Sequence, residues 1–249
     1  MDSSWDNYVT MFDNKPAFVL VDSALAQSAP LLSHPDLVLC RIPVHSFREN
    51  GLPSEDAFKA IYGFEDQAVA IARKADSNIY AGRLGVGKLV TYHFYTNASQ
   101  ALIKQFQTSS ELNAITPFAC KAMADPQWSF YFDFLYPQPE TRNSIENEKV
   151  REALRNAGDD GSALRKVDHY AYFKDLASLE KYASLVLQKQ YAIDRQSTAA
   201  DERGEWLLLF SKSQKPIEID SDTWALSEQA VALKGKYDGW ECPVVRGEH

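Results

Sequence analysis

WSFYFDFLYPQP, residues 128–139, is the stretch on which the reading of the fold turns. Trp128, Phe130, Phe132, Phe134 and Tyr136 recur at every second position, with Tyr131 and Leu135 in the other phase. Period-two spacing with aromatic content predicts a strand. Ser129 and Asp133 are the polar residues within it, so both faces are expected to touch protein. Pro137 and Pro139 withdraw the N–H that a ladder needs, and Pro139 suits the first turn of a helix. The segment therefore predicts the last strand of one domain running into the first helix of the next, with domains over 1–138 and 139–249.

Two domains suit a chain of 249 residues. Apolar residues make up 45%, charged residues 24%, and the mean hydropathy is −0.35, which is soluble globular composition with enough apolar material for real cores. No apolar run approaches the ~18 residues that span a bilayer. The start MDSSWDNYVT has neither a basic nor an apolar region, so no signal peptide is expected and the cytoplasm is the expected compartment. Cys40, Cys120 and Cys242 are odd in number and far apart, and are expected as buried thiols, with neither a disulfide framework nor a zinc site. The net charge of −8 divides evenly: residues 1–138 carry 14 acids and 10 bases, residues 139–249 carry 20 and 16. An acidic chain without a basic stripe argues against direct nucleic-acid binding and suits a basic protein partner.

Upstream of the aromatic stretch, strands are expected over 5–12 and 17–21 around an Asp13-Asn14-Lys15-Pro16 turn, a helical turn over 23–29, and a strand over 37–44 (LVLCRIPV). Ser54 is placed to cap a helix reaching about Ala75, with Phe58, Ile61, Tyr62, Ala68, Val69 and Ala72 at helical spacing. A hairpin follows over 78–83 and 88–96. A helix capped by Asn97 comes next, then a short strand over 114–119. Without the first two strands the order is β-α-β-β-α-β, the ferredoxin-like plan.

Downstream, residues 139–157 predict a helix with Gly158 past its end. Strands are expected over 167–173, 191–195, 206–210 and 236–245. Asp175 caps one intervening helix, and Asp220 or Ser221 the other. This half repeats the β-α-β-β-α-β order, so the fold class is α+β: two tandem ferredoxin-like domains with antiparallel sheets. In that plan helices cover one sheet face. Yet WLLLF (206–210) is apolar on both sides, and Tyr170 and Tyr172 oppose Val167, Ala171 and Phe173. The second face is expected to be covered by the other half of the chain or by a second copy, because apolar burial is worth ~25 cal/mol per Å².

Catalytic motifs fail on context. GRLGVGK (82–88) has the spacing of a phosphate-binding loop, but Leu89 stands where a hydroxyl is needed and an alternating strand follows, so its glycines read as hairpin residues. The five histidines, His34, His45, His93, His169 and His249, show no metal-ligand spacing. His169 and Asp168 are strand neighbours pointing to opposite faces. No G-x-S-x-G is present. Neither catalytic, cofactor nor metal residues are assigned.

Two stretches, ALRNAGDDGSALRKVDHYAYFKD (153–175) and KGKYDGWECPV (234–244), resemble the regulator of ribonuclease E activity B family, bacterial cytoplasmic proteins of ferredoxin-like fold. The first half, with KPAFVLVDSALAQSAP, IYAGRL and WSFYFDFLYP, resembles a bacterial domain family of unknown function often fused ahead of such a regulator. The resemblance implies a non-catalytic inhibitor that contacts an endoribonuclease and alters RNA turnover; that family has no catalytic residues to carry over. Its well-known members are strongly acidic with an acidic tail, whereas residues 139–249 net −4 here and end in the mixed VVRGEH. Asp159, Asp160, Asp168, Asp238 and Trp240 are the expected partner contacts, acids and Trp suiting a basic segment. Core packing is an equal reading for Trp240. An enzyme or small-ligand binder with a site between the domains, and a homodimer formed through an exposed sheet face, stand as alternatives.

Overall fold

In the computed structural model, which describes residues 3–75 and 77–246, the chain opens with a hairpin of β1 (Trp5–Phe12) and β2 (Lys15–Asp22). Asp13 and Asn14 link them at φ 48° and 59°, the left-handed pair that a two-residue hairpin loop demands. Met1, Asp2, His249 and the rest of the Gly247-Glu248-His249 tail lie outside the described residues.

A 3-10 turn (Ser23–Gln27), capped by Asp22, leads to β3 (Asp36–Pro43). Then come α1 (Glu55–Ala72), β4 (Asn78–Val86), β5 (Leu89–Thr96), α2 (Ser99–Thr108), α3 (Ser110–Ile115) and β6 (Ala119–Ala124). Ser54 caps α1, accepting the Ala57 N–H at 3.3 Å. Asn97 does not cap α2; the Thr96 hydroxyl accepts the Ala98 N–H instead, at 2.9 Å. The sheet order is β1-β2-β4-β5-β3-β6, all antiparallel. Strands β4-β5-β3-β6 are the ferredoxin-like four, and the hairpin extends them at the β4 edge. The GRLGVGK glycines belong to β4 and the tight β4–β5 turn, with Gly87 at φ 55°.

The aromatic stretch is not a strand. Ser129 and Phe130 are helical and Tyr131–Leu135 is one turn of π-helix, closed by the Tyr136 N–H to the Tyr131 carbonyl at 2.7 Å. The fully buried residues are Trp128, Tyr131 and Leu135, at helical spacing, while exposed Ser129 and Asp133, four apart, share the opposite side. Asp125 starts the turn, its carboxylate accepting the N–H groups of Ser129 and Phe130 at 2.8 and 3.0 Å. The last strand of the first sheet is β6. The predicted strand over 114–119 overlaps the end of α3 and contributes only Ala119 to β6.

This turn covers the sheet face opposite the helices. α1, α2 and α3 close a core of Phe64, Tyr92, Phe94 and Phe106 on one face. On the other, Val19, Val21, Leu37, Leu39 and Tyr95 pack with Trp128, Tyr131 and Leu135. The Trp128 indole lies on Tyr95 at 3.8 Å with 7° between planes and donates to the His34 carbonyl at 3.1 Å. The thiol expectation fails for two cysteines: Cys40 on β3 and Cys120 on β6 stand directly opposite and form a disulfide, while Cys242 is free.

The chain divides into two units, Met1–Gln138 and Pro139–His249. The second runs α4 (Pro139–Asn156), β7 (Arg165–Phe173), α5 (Leu176–Gln188), β8 (Ala192–Gln196), β9 (Trp206–Gln214), α6 (Asp220–Ala232) and β10 (Lys236–Glu241). Its sheet order, β10-β7-β9-β8, is again the ferredoxin-like arrangement. Asp175 caps α5, accepting the Ser178 N–H at 2.8 Å. Neither Asp220 nor Ser221 caps α6; both lie inside it, after Ile219 at the cap position. All three helices pack on one face, around Phe173, Tyr182, Leu208, Phe210 and Leu226 and, beneath α4, around Leu154, Val167 and Trp240.

Candidate protein-interaction surface

Strand alternation sorts the second sheet into a helix-covered face and an open one. On β7, Val167, His169, Ala171 and Phe173 are buried, while Asp168, Tyr170 and Tyr172 in the other phase are half-buried. Across the β7–β9 ladder Tyr170 faces Leu209, Tyr172 faces Leu207 and Asp168 faces Ser211. Leu207 and Leu209 are also half-buried. Two tyrosines and two leucines thus form an apolar centre on a face that carries no helix of this unit. The part of WLLLF expected to be shielded on both sides is buried at Leu208 and Phe210 alone.

Charge surrounds that centre. Lys166 bridges Asp168 at 2.8 Å and Asp194 at 3.0 Å. Hydrogen bonding from Ser211 lowers the Asp194 pKa. Tyr170 donates its hydroxyl to Glu241, and that bond pushes the phenol up to about 12. At the other end, Tyr172, Asp201, Glu202, Arg203, Glu205, Lys236 and Asp238 line a shallow depression of about 450 Å³. Lys236 pairs with Asp238, and Lys174 with Glu205 at 2.8 Å.

The five expected contact residues do not share one surface. Asp168 lies on the open face and Asp238 on the depression. Asp160 is exposed on the α4–β7 turn, accepting the Ser162 N–H at 2.9 Å. Asp159 is buried against Arg165, whose guanidinium holds its carboxyl far below the usual range. It also accepts the N–H groups of Gly161 and Val245, at 2.9 and 2.8 Å, which pins the closing segment to the turn. Trp240 is 7% exposed and donates its indole N–H to Asn147 at 2.8 Å. Asn147 in turn donates to Asp220 and Thr223, so Trp240 ties β10 to α4 and Asn147 ties α4 to α6. Sequence reasoning noted that Tyr170, Tyr172 and WLLLF leave an apolar second face, but did not assign Tyr170, Tyr172, Leu207 or Leu209 as contacts. The alternating phase of β7 was the signal available for doing so.

Beneath this sheet His169 is fully buried and stacked on Phe210, ring centroids 5.3 Å apart. Its ring nitrogens meet Tyr237 and Gln214, both at 2.8 Å, and Gln214 donates to Asp222 at 2.7 Å. Burial lowers the His169 pKa to about 4. The unfolded chain therefore binds a proton near pH 6.5 that the folded unit refuses until about pH 4, and stability falls as pH drops through that window. The loss reaches about 3 kcal/mol for this group. Urea titrations at pH 7, 6 and 5 should show the second unit weakening, with His169→Gln flattening the slope; an unaltered slope in that variant would refute the assignment. In the first unit, buried Glu65 accepts from Tyr80 and Arg83, and its pKa is raised by burial. Among the described residues no three His, Cys, Asp or Glu side chains gather as a metal site needs, and no helix is long and apolar enough to cross a membrane.

Residues 3–136 match the model of a family of unknown function, DUF695, and residues 144–242 match that of the regulator of ribonuclease activity B. No curated protein matches. Among solved structures the chain is similar to an unknown protein from Galdieria sulphuraria, at 15% identity over 84% of this chain and 99% of that one, with a TM-score of 0.25. It is also similar to a proposed glycine cleavage system transcriptional repressor, at 12% identity over 84% and 98%, again with a TM-score of 0.25.

Proposed function

The chain belongs to the family of unknown function DUF695, with a second half that matches the regulator of ribonuclease activity B, and from that pairing we propose a non-catalytic protein that controls a bacterial endoribonuclease by direct contact. The observation that supports this reading is the open sheet face of the second unit. Its half-buried Tyr170, Tyr172, Leu207 and Leu209 offer aromatic anchors, and Asp168, Asp194 and Glu241 surround them with acid. Aromatic residues at the centre of a patch carry most of the energy of a protein contact, while rim charges select the partner and speed its approach. A basic, partly apolar segment of the ribonuclease is the partner such a face suits.

The test uses purified RNase E-type endoribonuclease, a cleavable RNA and the full chain. Addition of the chain should slow or redirect cleavage, and binding should weaken as salt rises. Tyr172→Ala with Leu209→Ser should weaken binding at least tenfold, as removal of two central anchors does. Lack of binding to the ribonuclease even at low salt would remove the proposal.

A further inference from the structure

The four outer strands of the two sheets differ in how their free edges are guarded. β6 is short, carries Lys121 and is tied down by the Cys40–Cys120 disulfide. β8 has five residues, a register break between Ile193 and Arg195, and the charges Asp194 and Arg195. β10 breaks register between Tyr237 and Gly239 and carries Lys236, Asp238 and Glu241. Bulges, lysines and short length are the devices that keep an edge from pairing with another chain. β1 has none of them. Its eight residues pair with β2 one for one from Trp5–Asp22 to Phe12–Lys15, without a bulge, a proline or a lysine. Among the described residues β2 is its one ladder partner.

The free edge is also apolar. Trp5, Val9 and Met11 lie on one face of β1 and are 39%, 60% and 63% exposed. A two-residue loop makes the flanking pair, Phe12 and Lys15, a hydrogen-bonded one. Pairs alternate from there, so Asp6, Tyr8, Thr10 and Phe12 bond to β2. Trp5, Asn7, Val9 and Met11 then direct their N–H and C=O groups outward.

We propose that β1 pairs antiparallel with β1 of a second copy of this chain, joining two six-stranded sheets across a two-fold axis at Tyr8. Outward residues can pair only with outward residues, which limits the possible registers. With Tyr8 on the axis, Trp5 meets Met11, Asp6 meets Thr10 and Asn7 meets Val9. All four outward residues of each strand are used, giving about eight inter-chain hydrogen bonds, two per pair. Like charges do not meet, and the sulfur of Met11 faces the Trp5 indole, a favourable contact. A shift of two residues would put Trp5 opposite Asp13, in the hairpin turn, in one sense, and Met11 opposite Ser3, ahead of β1, in the other; either loses a pair of outward residues. The contact is isologous and consumes the free edge, so it closes at a dimer; the outermost strands are then the lysine-bearing β6 of each copy.

Sedimentation of the full chain, from micromolar to hundreds of micromolar, tests this, because dimerisation follows mass action. The wild-type chain should shift from monomer to dimer across that range. Val9→Pro removes an outward N–H and leaves the β1–β2 ladder intact, as an edge proline can. It should stay monomeric with an unchanged circular dichroism spectrum. If the proline disturbs folding, Val9→Lys with Met11→Lys places charge on the same edge and should weaken the dimer more than tenfold. A wild-type chain that is monomeric throughout, or a dimer that persists in the folded Val9→Pro or double-lysine variant, would overturn the proposal.

Discussion

Trp128→Ala is expected to destabilise the first unit by about 3–5 kcal/mol, the cost of emptying a fully buried indole site. The ring is 0% exposed, lies flat on Tyr95 and spends its N–H on the His34 carbonyl. Its removal opens a cavity between the sheet and the helical turn and leaves that carbonyl without its donor. Trp128 also sits at φ 56°, where the chain reverses after Asp125, so the ring anchors a backbone conformation that non-glycine residues rarely adopt. Calorimetry with the two units' transitions fitted separately should show the first falling by more than 10 °C, at a few degrees per kcal/mol. The same experiment separates helix from strand. Tyr131→Ala and Leu135→Ala should cost several kcal/mol, and Ser129→Ala and Asp133→Ala within about 0.5 kcal/mol. Equal costs at Phe130, Phe132 and Phe134 would restore the strand reading.

Reduction of the Cys40–Cys120 disulfide should cost the first unit about 4 kcal/mol. The bond closes a loop of 80 residues that contains α1, β4, β5, α2 and α3. The entropy of leaving that loop open in the unfolded chain sets the magnitude, by the chain-entropy account of crosslinks. The crosslink also ties down β6, an edge strand that pairs with β3 alone among the described residues. Dithiothreitol should lower the first calorimetric transition and leave the second in place. Cys120→Ala should reproduce the lower transition and abolish its response to reductant, while Cys242→Ala should leave that response intact. A first transition indifferent to reductant in the wild-type chain would show that the bond carries no stability.

The candidate surface was legible in part. The β7 phase and WLLLF exposed an apolar second face in the second half, because a strand's alternation is written in adjacent residues. The separation of Asp159 and Trp240 from that face was not legible. Asp159 is buried by Arg165 and by Val245, which lies 86 residues further on, and Trp240 by Asn147, 93 residues back. Arg165 is six residues from Asp159, but Val245 and Asn147 cannot be inferred from local composition. The aromatic stretch failed for another reason. Its residues satisfy period two by count, but Ser129 and Asp133, four apart, already mark one side of a helix.

By itself the amino-acid order determined most of the helices and strands, the Ser54 and Asp175 caps, and the β-α-β-β-α-β order in each half. All of these follow from spacing within a few residues, where side-chain period and backbone hydrogen bonding are local. Tertiary structure decided that the aromatic stretch is a helical turn laid on the first sheet, that Cys40 meets Cys120, and that Val245 and Asn147 close on Asp159 and Trp240. Each of those depends on groups brought together from far apart in the chain, where the free energy of burial and pairing outweighs what the neighbouring residues prefer.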